Sequence, residues 1–304
     1  MQTSTKWILA VSGIFLVLGL WLTTFLLLLV PSIFSTRGDE LIGSGDRVAV
    51  IEIEGAILSS SETVRLFKKY RKDERVKAIV LRVESPGGGV VASQEIYAEV
   101  KKTRASKVPV VVSMGALAAS GGYYVSCAAD RIVANPGTLT GSIGVISQFM
   151  RVDSLLNRIG IEATTIKSGK LKDAGNPFRR MTQDDKSYFQ SLMDQIHRQF
   201  IAVVERERGV DHDSLMEYAD GRVFTGEEAM AVGLVDTIGT FEDAVEIAGK
   251  LGHIQGTPGL VRERPPSPSL FERLIGETRI PDFLSLKDEF LNQPILQYRM
   301  IQSF

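Results

Sequence analysis

The sequence predicts an α/β fold with mainly parallel sheets and crossover helices, preceded by one N-terminal transmembrane helix. Three observations lead to this prediction. Apolar runs of strand length alternate with segments of helical spacing from Arg47 onward. Several of those runs are apolar at nearly every position, which is typical of parallel strands buried on both faces. Finally, no charged residue occurs between Trp7 and Phe34.

The uncharged N-terminal segment is long enough to cross a bilayer. A helix rises about 1.5 Å per residue, so about 20 residues span a hydrocarbon core of about 30 Å. A cleaved signal peptide is the alternative, but its apolar core covers only about 7–15 residues and precedes a small-x-small site, which is lacking here. We therefore expect a retained membrane anchor with its flanks over residues 1–36, and a polar, Gly-rich linker over 37–46.

Strands and helices alternate through the first half of the remaining chain. Apolar runs predict the strands, and 3.6-residue spacing or uniform small and apolar character predicts the helices. The predicted strands are Arg47–Gly55, Val76–Glu84, Val108–Val112 and Arg131–Ala134, and the predicted helices are Ser61–Glu74, Val91–Ala105 and Ser120–Ala129. This order indicates crossover helices between parallel strands.

A long helix is predicted from Thr182 to Gly209, because Thr182 with Asp185 fits a capping box and Gly209 is a typical stop. Shorter helices are predicted at Asp213–Tyr218, Gly226–Val232 and Phe241–Leu251. His253 to Pro268 is predicted as a loop. The tail from Leu270 fits an amphipathic lid, an oligomer contact or a membrane-surface segment. The main domain is thus expected over 47–252, with a C-terminal loop and tail over 253–304.

Composition excludes some functions. The 304 residues are 44% hydrophobic and 23% charged, and the net charge is −1. A nearly neutral chain has no strong positive electrostatic potential that would attract nucleic acid. The single cysteine, Cys127, is predicted to be a buried apolar-like side chain. The histidines, His197, His212 and His253, have no second histidine or cysteine nearby, so no metal or cofactor is expected.

A serine followed by two glycines ends an apolar run at Ser120. A serine placed there can act as a nucleophile, and the next amide, of Gly121, can donate to an oxyanion. The alternative is a helix N-cap among small residues that pack closely. A second glycine cluster, Gly87 to Gly89, follows another apolar strand. Its amides could hold an oxyanion or a phosphate, or simply form a turn.

No histidine lies near Ser120, so its base is expected to be a lysine. Lys172 is the candidate, with Lys170 and Lys167 as rivals, although most lysines are simply solvated. A lysine acts as a base only when neutral, and burial can lower its pKa by about 3–5 units from about 10.4. A triad through His197 is compatible with the spacing but has no other support.

Together these segments resemble the SppA-type signal peptide peptidases, a family of Ser-Lys proteases with a crotonase-like fold related to Clp protease. The matching motifs are Arg82-Val83-Glu84-Ser85-Pro86-Gly87-Gly88-Gly89, Ala119-Ser120-Gly121-Gly122-Tyr123-Tyr124, Thr140-Gly141-Ser142-Ile143-Gly144-Val145 and Ser168-Gly169-Lys170-Leu171-Lys172-Asp173. The resemblance covers roughly Arg47 to Leu251 and matches the short form with one catalytic unit per chain. It implies that 47–252 is a Ser-Lys protease domain.

The resemblance implies a role for each matched residue. Ser120 corresponds to the nucleophile, Lys172 to the general base, and Ser142 to the serine that hydrogen-bonds the lysine. Gly121, with either Gly87 or Gly88, corresponds to the oxyanion hole.

The resemblance also implies the setting of the reaction. Short-form relatives share the serine and lysine of one site between neighbouring protomers of a ring, with an octamer as a candidate size. Implied substrates are remnant signal peptides or other apolar segments, and no cofactor is implied. The implied location is the inner membrane of a bacterium, in a single pass, with the catalytic domain on the periplasmic or extracellular side. Two alternatives remain: an acyl-CoA enzyme of crotonase type and a non-catalytic membrane scaffold.

Overall fold

The computed structural model of the protein describes residues 7, 13, 15–24, 39–43, 45–263 and 297–299. Residues 41–261 and 297–299 belong to one compact unit. The strands are β1 Asp39–Ile42, β2 Arg47–Glu54, β3 Val76–Ser85, β4 Gly87–Gly89, β5 Val110–Ala119, β6 Arg131–Ala134, β7 Leu139–Gly141, β8 Val223–Phe224, β9 Thr237–Ile238, β10 Gly259–Glu263 and β11 Gln297–Arg299. The helices are α1 Ser61–Arg71, α2 Val90–Ala105, α3 Gly121–Ser126, α4 Asp153–Arg158, α5 Gln183–Arg208, α6 His212–Met216, α7 Gly226–Ala231 and α8 Phe241–Leu251.

Nine of these strands form one sheet within the described residues. Its main path runs β1-β10-β2-β3-β5-β6-β9, with β7 beside β5 and β8 beside β7. The pairs β2–β3, β3–β5, β5–β6, β5–β7 and β6–β9 are parallel, whereas β7–β8 is antiparallel. The predicted α/β architecture with a mainly parallel sheet is therefore confirmed.

The sheet is covered by helices on both faces, which explains why its central strands are apolar at successive positions. On one face, residues such as Ile51, Leu81 and Val112 join a core with side chains of α1, α2 and α5. On the other face, Val80 and Val111 pack with alanines of α8. Each buried Val, Leu or Ile stabilises the fold by roughly 1.5–3 kcal/mol relative to exposure.

Helix α5 has the ends that its sequence predicts. Thr182 accepts from the Asp185 amide and the Asp185 side chain accepts from the Thr182 amide, which completes the capping box. Gly209 closes the helix in the left-handed conformation with a φ of 65°. This helix is the rigid element that follows the segment carrying Lys172.

Three segments differ from prediction. Strand β5 continues past Val112 to Ala119, because its ladder resumes with β7 after an irregularity. The segment predicted as the loop 253–268 contains strand β10, whose Val261 is buried. The segment predicted as a linker over 37–46 contains strand β1, which pairs with β10 at the sheet edge.

The predicted membrane anchor lies largely outside the described residues. Residues 15–24 are helical, and their large apolar side chains are exposed. Among the residues that the structure describes, no helix combines the length and the apolar character needed to span a membrane. Most of the predicted tail, 264–296 and 300–304, also lies outside the described residues.

Candidate active site

Ser120 lies in a sharp strand-to-helix turn between β5 and α3. Its φ of 53° and ψ of −112° are unusual for a residue with a side chain, and such a conformation costs about 1–3 kcal/mol. Two backbone hydrogen bonds hold it: the Ser120 amide donates to the Gly141 carbonyl at 2.8 Å, and the Tyr124 amide donates to the Ser120 carbonyl at 2.8 Å. The surrounding structure thus enforces a strained conformation at this serine.

The Ser120 side chain is buried but unpaired. The residue is only 1% exposed, and its Oγ has no hydrogen-bond partner within the described part of the chain. Leaving a buried hydroxyl without a partner costs about 1–3 kcal/mol, so such a group calls for an explanation. The N-cap alternative fails, because Ser120 makes no side-chain capping bond to α3.

Ser142 lies beside Ser120 because their strands are paired. Ala119 on β5 is in register with Gly141 on β7, and each strand is followed directly by one of the two serines. Ser142 also has a positive φ, 51°, and its amide donates to the Arg222 carbonyl at 2.8 Å. Two neighbouring parallel strands therefore end in strained serines at the same sheet edge.

The glycine strand β4 packs against α3, the helix that starts at Gly121. Along one edge it pairs with Ile57, whose amide donates to the Gly87 carbonyl at 2.9 Å and whose carbonyl accepts from Gly89 at 2.8 Å. Only glycine fits at Gly88, because a Cβ there would lie 2.3 Å from the Ile57 carbonyl oxygen. The glycines therefore let one backbone segment approach another beside Ser120.

The three glycine amides have different partners. The Gly87 amide donates to Ser85 Oγ at 3.1 Å, and the Gly89 amide donates to Ile57. Successive residues of a strand direct their backbone N–H and C=O groups to opposite edges. The Gly88 amide therefore faces the edge of β4 opposite to Ile57. Gly121 is in the first turn of α3, where amides lack an intrahelical acceptor. Gly88 and Gly121 are thus the better placed donors.

That opposite edge of β4 is occupied by the chain's own C-terminal strand. β11 pairs antiparallel with β4, with Tyr298 opposite Gly88. β11 also lies against α3. An extended peptide segment therefore fits along β4 by backbone pairing, next to Ser120.

The three candidate lysines differ in their ion pairs. Lys167 Nζ pairs with Asp173 at 2.5 Å, and Lys170 pairs with Asp184, which raises the pKa of Lys170. Lys172 is exposed, and its amine makes no hydrogen bond or ion pair among the described residues. Of the three lysines, Lys172 is therefore the one whose amine has no partner among the described residues.

Within one chain the structure does not join Lys172 to Ser120, because the Ser120 hydroxyl has no partner there. The lysine lies in a turn closed by its own amide, which donates to the Gly169 carbonyl at 3.1 Å. Ser142, Gly88 and Gly121 thus belong to elements that pair with or pack against those that carry Ser120, whereas no hydrogen bond joins Lys172 to Ser120.

The other candidate groups are occupied elsewhere. His197 Nε2 lies 3.1 Å from the Ile143 carbonyl, and His212 pairs with Glu205, so neither contacts Ser120. Cys127 is buried, and burial raises the pKa of its thiol to about 12, which excludes a thiolate nucleophile at neutral pH. Among the described residues, no group of three or more His, Cys, Asp or Glu could hold a metal ion.

Glu84 is a positioning residue that the sequence prediction missed. Its carboxylate accepts from the amides of Ala116 at 2.9 Å and Leu117 at 3.1 Å, in the irregular part of β5. The same carboxylate fills the space over Gly115, where a Cβ would overlap it at 1.6 Å. These bonds stabilise the irregular part of β5 that precedes Ser120 by a few residues, and no local pattern indicates them in advance.

A family model supplies the decisive comparison. Residues 102–255 match the model of peptidase family S49, and these residues include both Ser120 and Lys172. The chain belongs to peptidase family S49. The predicted resemblance to signal peptide peptidases is confirmed, and this S49 chain is a serine peptidase. The acyl-CoA enzyme is thereby disfavoured.

Named relatives agree with this assignment. A Synechocystis protein named as a protease is 40% identical over 206 residues. The match covers 67% of this chain and 74% of that protein. Protease 4 of Salmonella typhi is 39% identical over 221 residues, 70% of this chain and 36% of its own length. A protein of Enterococcus faecium named for signal peptide peptidase SppA is 34% identical over 216 residues, 67% of this chain and 63% of its own length.

Proposed function

We propose that this S49 peptidase is a membrane-anchored endopeptidase in which Ser120 is the nucleophile and Lys172 the general base. The observation that carries the proposal is the Ser120 hydroxyl, which is buried, strained and without a partner among the described residues. Such a group is costly unless another molecule completes it. Ser142 beside it would hold the incoming lysine amine by a hydrogen bond.

The reaction follows from these roles. Neutral Lys172 Nζ takes the proton of Ser120 Oγ while that oxygen bonds to the peptide carbonyl carbon. The amides of Gly88 and Gly121 donate to the resulting oxyanion. The Lys172 ammonium then gives its proton to the leaving amine as the C–N bond breaks, and water hydrolyses the acyl-enzyme.

The occupied edge of β4 supports a site for an extended peptide. A substrate that pairs with Gly88 as β11 does would lie next to the nucleophile. Backbone pairing supplies affinity with little dependence on side chains, as in other cases of strand addition. The substrate is therefore an unfolded or extended segment, consistent with remnant signal peptides and other apolar peptides.

The amine is supplied by a second copy of the chain. Lys172 is exposed, and the stretch of chain from Met150 to Phe178 that contains it also exposes large apolar side chains: Met150, Ile166 and Phe178 are 67%, 97% and 47% exposed. Burying that surface against another copy would also desolvate Lys172. Burial favours the neutral form of a lysine amine, which is the form that a general base requires. A ring-shaped homo-oligomer, with an octamer as one candidate size, satisfies this geometry.

The membrane supplies both location and substrate. The uncharged segment from Trp7 to Phe34 would anchor the chain in the inner membrane of a bacterium, with the catalytic domain on the periplasmic or extracellular side. Tethering raises the effective concentration of the peptidase near apolar peptides left in the bilayer.

The roles of the serine and lysines are tested by single substitutions. Ser120→Ala and Lys172→Ala should each lower kcat/KM on a fluorogenic apolar peptide by at least about a thousandfold, since nucleophile and base act as one unit. The matched control is Lys170→Ala, which removes a nearby lysine of the same loop. Lys170→Ala should stay within about threefold of the wild type.

Two results would contradict the proposal. Full activity in Lys172→Ala would assign the base to another group. Labelling of Ser120→Ala by a peptidyl fluorophosphonate, at the wild-type rate, would assign the nucleophile to another serine.

A further inference from the structure

Asp173 follows Lys172 directly in the sequence, and a carboxylate that turned toward the lysine amine would hold it in its charged form. An opposite charge within about 4–6 Å favours the protonated amine and raises its pKa. A lysine that must be neutral to act therefore needs this neighbour neutralised. The requirement rests on the proposed role of Lys172 as the base.

The structure shows that Asp173 is already engaged on both oxygens. Arg179 Nε donates to Oδ2 at 2.8 Å and Arg179 Nη2 donates to Oδ1 at 2.9 Å. Lys167 Nζ donates to the same Oδ1 at 2.5 Å. The Asp173 side chain is 8% exposed. Arg179, and after it Lys167, hold the pKa of this carboxyl well below its usual range.

The same guanidinium ties the loop to helix α5. Arg179 Nη1 donates to Asp185 Oδ2 at 2.5 Å, and Asp185 is the buried acid of the capping box. Arg179 Nη2 also donates to the Asp173 backbone carbonyl at 2.9 Å. One side chain thus fixes the backbone beside Lys172 to the start of a 26-residue helix.

The remaining acids around the loop are also paired. The charged groups on this loop and on the first turn of α5 are Lys167, Lys170, Lys172, Asp173, Arg179, Arg180, Asp184, Asp185 and Lys186. Asp184 pairs with Lys170, and Asp185 with Arg179, so each of the three acids has a cation other than Lys172. Lys172 is left without a counter-ion in this group.

We propose that Arg179 is a positioning residue that sequesters the Asp173 carboxylate, so that the amine of Lys172 has no internal counter-ion and can lose its proton. Arg179 has two effects: it binds the Asp173 carboxylate, and it links the loop to the start of helix α5. Loss of Arg179 would remove two of the three side-chain hydrogen bonds to the carboxylate, leaving Lys167 as its partner, and would take one positive charge from the loop that carries Lys172. The ammonium would then be stabilised, and the neutral base would form only at higher pH.

The test is the pH dependence of kcat/KM in the full-length protein. Since only neutral Lys172 is active, activity rises with pH through the lysine pKa. In Arg179→Gln the midpoint of this rise should move up by about one pH unit. In the double variant Arg179→Gln/Asp173→Asn the midpoint should return to the wild-type pH, even if kcat stays low because the loop is no longer fixed. Arg179→Lys should move the midpoint less than Arg179→Gln does.

The control is Arg65→Gln, which breaks a pair with Glu62 on helix α1 and should leave the midpoint unchanged. The rate of Ser120 labelling by a peptidyl fluorophosphonate, measured across pH, gives the same midpoint without a peptide substrate. A lower kcat in Arg179→Gln with an unmoved midpoint would overturn the proposal and leave Arg179 a purely structural residue. A shifted midpoint that persists in the double variant would also overturn it.

Variants of Lys172 and Arg179 distinguish failure of the proposed function from failure of the role proposed for Arg179. If Lys172→Ala kept its activity, the lysine would not be the base, whatever the Arg179 variants did. If Lys172→Ala is inactive and the Arg179→Gln midpoint is unmoved, only the sequestration is wrong. Thermal unfolding and light scattering on each variant separate loss of fold or assembly from a shift in pH dependence, and Arg179→Lys provides a variant with the charge retained.

Discussion

At Gly88 the backbone of Ile57 comes closer than any side chain could tolerate. A Cβ at that position would lie 2.3 Å from the Ile57 carbonyl oxygen and 2.6 Å from its amide nitrogen. Both neighbours are backbone, so neither can move without disturbing the pairing of β4. The sequence left Gly87 and Gly88 as equal candidates for the oxyanion donor. We favour Gly88 as the donor, because the Gly87 amide already donates to Ser85 Oγ.

We therefore expect Gly88→Ala to lower both stability and activity. Forcing a methyl group into this contact should destabilise the fold by about 1–3 kcal/mol. Displacement of the amide should lower kcat more than KM, since an oxyanion donor acts in the transition state. Thermal unfolding and steady-state kinetics measure the two effects. Gly137→Ala is the control, since a Cβ there meets nothing within 4 Å; equal behaviour of the two variants would contradict the argument.

Elements of strong local pattern were predictable, and elements made by distant pairing were not. The capping box of Thr182 and the stop at Gly209 predicted helix α5 nearly to the residue, because both signals are local. Strands β1, β10 and β11 have little apolar pattern and exist because partners are available for them. The location of Ser142 beside Ser120 depends on the register of β5 and β7, which no local sequence contains.

The pairing of β11 with β4 predicts an effect of the C-terminal segment on activity. A chain that ends after residue 291 would lack β11 and leave the edge of Gly88 open. A substrate would no longer compete with an internal segment held at high effective concentration. We expect kcat/KM on an extended peptide to rise several-fold, mainly through a lower KM. A synthetic peptide of residues 292–304 should inhibit the truncated protein competitively; unchanged kinetics together with no inhibition would show that β11 does not compete with substrate.

At the scale of the whole molecule, one chain holds the parts of the site in two places. Ser120, Ser142 and the glycine strand lie together at the edge of the sheet, whereas Lys172 lies in an exposed segment with apolar neighbours. Within the described residues, the buried Ser120 hydroxyl has no hydrogen-bond partner, and the Lys172 amine has neither a hydrogen bond nor an ion pair. Each group could supply the partner that the other lacks. Contact between two copies would pair the two groups, and a heterologous contact that closes into a ring would repeat the site at every interface.

This arrangement predicts that two inactive variants rescue each other. Ser120→Ala chains carry an intact lysine, and Lys172→Ala chains carry an intact serine. Mixed as equal amounts and reassembled at random, about a quarter of the interfaces should combine the intact serine of one chain with the intact lysine of the next. The mixture should therefore recover about a quarter of wild-type kcat/KM. The double variant Ser120→Ala/Lys172→Ala, mixed with either single variant, is the control and should stay inactive. Persistent inactivity of the mixture, with mixed assembly verified by co-purification of differently tagged chains, would place the base on the same chain as the nucleophile.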